Sequence, residues 1–205
     1  MTGLIGIAAI AIVAWFTAGT IWNVRIGREL MRWMQGGLPV IGEHTTVRWL
    51  GSTAVELVID QGKAQFTRAA VVIFLEPRDL PWWPISRSRG RRDTLILRGT
   101  LRRAPKFELE IVDPASWSGR DALPRIPREW QVWDGNLRIH HGSAAALERA
   151  EALLVLAEHA GMKVARLSVR RTEPNFQLHV LLPDLRQPAR AFFDAVGNLA
   201  ERALA

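Results

Sequence analysis

The sequence predicts an α+β protein: an N-terminal single transmembrane helix followed by an antiparallel-sheet domain with helices on one face. Three observations lead there. A charge-free apolar run fills residues 1–24. From residue 45 the apolar residues recur every second position, the period of a half-buried strand. Residues 137–204 then read β-α-β-β-α, an order that packs helices against an antiparallel sheet.

From Thr2 to Val24, 23 consecutive residues carry no formal charge. As a helix at about 1.5 Å per residue they extend roughly 34 Å, enough for a hydrocarbon core of about 30 Å. Trp22 stands near one end, where an indole prefers the headgroup region. A signal peptide would need a basic segment before its apolar core, and only Met1 and Thr2 precede Gly3. Residues 1–24 are therefore expected to be an anchor. Arg25, Arg28 and Arg32 follow it directly, so positive charge places the N-terminus outside and residues 25–205 in the cytosol.

Residues 25–44 form a juxtamembrane segment. Arg25, Arg28 and Arg32 fall within an arc of about 60° on a helix, with Ile26, Leu30, Trp33 and Met34 mostly opposite. Such a helix either lies at the bilayer interface, which would make Arg25, Arg28, Arg32 and Trp33 membrane contacts, or packs its apolar side on the soluble domain. Gly36-Gly37 ends it, and Leu38-Pro39 is expected to begin an extended linker containing His44.

Residues 45–205 are expected to form one cytosolic α+β domain. Val55, Leu57 and Ile59 alternate with Glu56 and Asp60, and Phe107, Leu109 and Ile111 with Glu108 and Glu110. Both read as strands with one face in water, so Glu108 and Glu110 are expected on a solvated surface. Residues 45–50 and 94–98 show the same alternation, and the unbroken run 69–75 suits a more central strand. Residues 113–135 contain three prolines, two glycines and Trp117, Trp130 and Trp133, and read as irregular chain packed across the sheet. After a short strand at 137–140, Ser143 caps a helix that ends before Gly161. A strand over 164–170 puts Ala165, Leu167 and Val169 on one face and Arg166, Ser168 and Arg170 on the other. The strand 176–182 follows, with His179 on its polar face, and a terminal helix over 187–204 buries Phe192, Val196, Leu199 and Ala203.

The composition excludes several chemistries. With no cysteine there is no disulfide, thiolate zinc site, iron–sulfur cluster or cysteine nucleophile. No phosphate-binding glycine loop, nucleophile elbow or paired-histidine zinc motif occurs. His140 and His141, adjacent on a strand, point to opposite faces and cannot share a metal. No cofactor is indicated, and no catalytic set is legible from spacing.

One segment concentrates charge. Residues 78–106 hold nine Arg or Lys against two Asp, a net +7 that equals the charge of the whole chain. Within it Trp82 and Trp83 sit between prolines, followed by Arg87, Arg89, Arg91 and Arg92. Tryptophan beside arginine suits an anionic bilayer surface. The same composition also suits a structural connection, with arginines stacked on the indoles, or, less well, nucleic acid. The 24 Arg to 3 Lys reads as compositional bias rather than phosphate recognition. The expectation is thus a single-pass membrane protein of prokaryotic layout with a non-catalytic binding or scaffold domain. Its partners would be the lipid bilayer, its anionic headgroups or another membrane-associated protein. The alternative is a membrane-tethered enzyme with a site gathered from scattered residues such as Asp79, Asp93, His140 and Glu173.

Overall fold

The computed structural model describes residues 2–205. Helix α1 runs unbroken over Thr2–Gln35, so the charge-free run and the helix predicted after it are one element. It is the one helix among the described residues long and apolar enough to cross a membrane. Gly36-Gly37 ends it, as the sequence suggests. The chain then makes a 3-10 turn over Leu38–Val40 rather than an extended linker, because the Leu38 carbonyl accepts the Ile41 N–H and folds the segment back. Strand β1 begins at Gly42, earlier than the alternation indicates, and includes His44.

The chain continues through β1 (Gly42–Trp49), β2 (Ala54–Gly62), β3 (Phe66–Phe74), α2 (Trp83–Ser88), β4 (Thr94–Leu101), β5 (Leu109–Val112) and α3 (Trp117–Ala122). Then come β6 (Gln131–Asp134), β7 (Arg138–His141), α4 (Ala144–His159), β8 (Val164–Val169), β9 (Phe176–Leu181) and α5 (Ala189–Leu204). The nine strands form one sheet in the order β1-β2-β3-β4-β9-β8-β5-β7-β6, every neighbouring pair antiparallel. This is the α+β architecture that the pattern predicts. The Ser143 hydroxyl accepts the Ala146 N–H at the start of α4, and Gly161, at φ +68°, follows its end in the left-handed region that glycine tolerates.

The long helices share one face of the sheet. Phe193, Val196 and Leu199 of α5 and Ala150 and Leu153 of α4 are buried in one apolar cluster with Val71, Leu97, Ile111, Leu167 and Leu178 of the sheet. Leu30 and Met34 of α1 are fully buried in that cluster. Of the two placements open to the juxtamembrane helix, its apolar side takes the second and packs on the domain.

The reverse face overturns two expectations, that Glu110 lies on a solvated surface and that residues 113–135 are irregular. Glu110 is 0% exposed, and Arg166, Ser168 and His179 are buried with it. Residues 113–130 cover this face with α3 and a 3-10 turn over Leu123–Arg125, packing Ala122 and Ile126 on Val112. The segment read as irregular is thus largely folded, and it continues into β6. Period-two alternation of polar and apolar residues marks two different faces, but it does not say that the polar one is wet. Here the charges are neutralised internally. Arg166 Nε donates to Glu110 Oε1 at 2.5 Å, Arg170 Nη2 and Ser168 Oγ donate to Oε2 at 2.8 Å each, and Trp130 lies 4.4 Å from the Arg170 guanidinium.

Candidate membrane-facing site

The basic segment is not one mobile loop. It leaves β3 at Phe74, turns tightly over residues 75–82, forms α2, and enters β4 at Thr94. Its base is tied to α1. Glycine at position 19 allows the closest approach: a Cβ there would stand 2.4 Å from the Arg78 carbonyl oxygen and the Asp79 nitrogen. One turn further on, Asn23, fully buried, donates from Nδ2 to the Glu76 carbonyl at 3.1 Å and accepts from Arg78 Nη1 at 3.1 Å. Arg78 also donates in bidentate fashion to Asp93, at 2.9 and 2.6 Å, while Asp93 Oδ1 accepts the Glu76 N–H at 2.7 Å. Trp22 and Trp83 meet edge to face at 6.3 Å, and the Arg78 guanidinium lies over both rings.

The sequence-identified residues divide by what they touch. Trp83 is half-buried and donates its indole N–H to Glu76. Arg87 donates to both Glu76 oxygens, at 2.8 and 3.1 Å, and so neutralises a buried carboxylate. Arg91 lies over the stacked rings of Phe74 and Trp117, at 4.9 and 5.5 Å, and its pKa is lowered by this burial, with Glu76 acting in the opposite sense. These three are structural. Trp82 is 56% exposed, and Arg89 and Arg92 are exposed with no carboxylate within ion-pair distance among the described residues. Arg92 donates to the carbonyls of Arg87 and Arg91, at 2.5 and 2.7 Å.

Sequence reasoning missed Ile85, also 56% exposed, which adds a second large apolar side chain on α2. It also missed Asn23, whose amide within an apolar run was the available signal, because such a group needs a partner. In the juxtamembrane group Arg25 pairs with Glu29 at 3.1 Å, while Arg28 and Arg32 are exposed. Trp33 instead faces the domain, donating to the Gln187 carbonyl at 2.7 Å and packing on Phe192 and Phe193.

The four scattered candidates for catalysis do not converge. Asp93 precedes one end of β4 and Glu173 accepts from Thr100 near the other, while His140 sits on β7 beyond β9, β8 and β5. Asp79 accepts from Ser52 at 2.6 Å. No group of three or more His, Asp or Glu among the described residues is placed to hold a metal. Ser118 Oγ does stand 2.5 Å from His179 Nδ1, but the cavity beside Ser118 is only about 20 Å³, and both residues are buried.

Burial, reinforced by Arg166 and Arg98, holds the His179 pKa at about 3. The sign follows from linkage: below about pH 6.5 the unfolded chain binds a proton that the folded chain refuses. Stability should therefore fall with pH from about 6.5 towards 3, by up to roughly 1.4 kcal/mol per unit for this one group. Chemical denaturation across that range checks it: His179→Asn should flatten the slope, and an unchanged slope would contradict the assignment.

Comparison of the chain with protein-family models and with curated proteins found no match.

Proposed function

We propose that this is a single-pass membrane protein with its N-terminus outside, whose cytosolic domain is held against the bilayer by one end of its sheet and acts there as a binding or scaffold module. The observation that supports it is the depth at which α1 meets the domain. The domain first contacts α1 at Gly19 and Asn23, inside the charge-free run that ends at Val24, so the end of a span built on that run lies level with the turn over residues 75–82. The membrane boundary then falls near Trp22, whose indole suits the headgroup region, level with Glu76–Asp79. At that level Trp82 and Ile85 would enter the headgroup region. Arg89 and Arg92 would meet anionic lipid, each contributing about 1 kcal/mol. Arg25, Arg28 and Arg32 immediately after the span favour the cytosolic side.

The absence of cysteine makes the test clean, since one introduced thiol takes one label. A nitroxide on full-length Ile85→Cys in anionic vesicles should be shielded from a water-soluble quencher and open to oxygen. The same label on Thr172→Cys, in the turn before β9, should show the reverse. Equal aqueous access at both positions would overturn the docking. Adding Arg89→Gln/Arg92→Gln should remove the preference for anionic over neutral lipid. Protease added to intact cells should leave the domain uncut, and cleavage would reverse the orientation.

A further inference from the structure

The helical layer ends at α1, and the sheet continues beyond it. Strand β1 pairs only with β2, so its other side presents a row of unpaired backbone groups. Residues 43–50 are all exposed, hold one register with β2 and contain no proline, and the one irregularity is His44 at φ +56° near the start. Beside this edge runs a groove of about 400 Å³. Its floor is Met31, Leu38, Val47 and Leu57, and its only charged lining residues are Arg28 and Arg32. Neither arginine has a carboxylate within ion-pair distance among the described residues.

We propose that β1 and this groove bind an extended segment of a partner protein as a tenth strand, with apolar side chains alternating with Asp or Glu. Pairing to a free sheet edge satisfies the backbone groups, and alternate side chains on one face enter the adjoining groove. The apolar ones would cover Met31 and Val47, and the acidic ones would reach the Arg28 and Arg32 guanidinium groups.

A second copy of this chain does not fit. Gly27 of α1 meets Trp49 at one end of β1, while Leu38 and Gly42 close the other, so α1 and β1 run side by side in opposite directions. The two-fold axis of an antiparallel ladder is perpendicular to the sheet, so a second copy joined at β1 would point its α1 the opposite way across the bilayer. The proposal concerns residues other than Trp82 and Ile85 and does not require them to touch lipid.

The test uses the full chain in nanodiscs of neutral lipid, challenged with a displayed library of short random peptides. Enriched peptides should alternate apolar and acidic residues and cross-link to a photoreactive group at Thr45. Arg28→Gln/Arg32→Gln should weaken a selected peptide about tenfold, the scale of two exposed ion pairs. Val47→Glu, which places like charge on the exposed floor, should abolish binding. Three results would overturn the proposal: no enrichment over empty nanodiscs, selected peptides insensitive to both variants, or cross-linked dimers of the chain itself through residue 45.

Discussion

Replacing Glu110 with alanine is expected to lower the unfolding free energy by about 3–5 kcal/mol, the cost of leaving a buried charge without its partner. Glu110 is fully buried and answers Arg166, which is itself buried, as well as Arg170 and Ser168. Its removal leaves the buried Arg166 guanidinium without its carboxylate. Arg170 suffers less, since its side chain is 18% exposed and keeps the face of Trp130. Removing the charges together separates the causes. Glu110→Leu/Arg166→Leu should lose clearly less than Glu110→Ala, because it exchanges an ion pair for apolar packing. Chemical denaturation of the full chain in detergent measures both, and a double variant as unstable as the single one would refute the account.

The second large effect joins stability to the position of α2. Asp93→Ala should cost about 3–5 kcal/mol for the same reason, since Arg78 loses both of its charged hydrogen bonds. The Glu76 N–H loses its acceptor in the same step. Arg78 then retains only the Asn23 amide and the two indole faces, so the turn over residues 75–82 should loosen from α1. A label at Ile85→Cys in an Asp93→Ala background should gain aqueous access, while Asp93→Asn, which keeps one acceptor, should fall between. A destabilised protein with an unmoved label would mean that the network supports the fold without positioning the surface.

Much of this could be read from the residues in order. Thr2–Val24 has no charge to solvate, so a long apolar helix follows without tertiary information. The alternation in Val55–Ile59, the Ser143 cap and the Phe192–Val196–Leu199 stripe depend only on neighbours within a turn or a pleat, and they are found where expected.

Other features depend on contacts between distant segments. Nothing near Glu110 in sequence reveals that Arg166 and Arg170 will meet it, or that residues 113–130 will fold over it. The arginines of residues 87–92 are indistinguishable by composition, yet Glu76 claims Arg87, the Phe74–Trp117 stack holds Arg91, and Arg89 and Arg92 are left to solvent.

What the sequence determined alone is local: a long apolar helix, the strand and helix periods, and an excess of positive charge just past its charge-free run. Local chemistry suffices there because each signal is carried by residues a few positions apart. Only the tertiary structure decided which polar side chains are dry, which arginines are already partnered, and how far along α1 the domain is attached. Those outcomes are settled by desolvation, and a charge enters a low-dielectric interior only where a partner from elsewhere in the chain meets it.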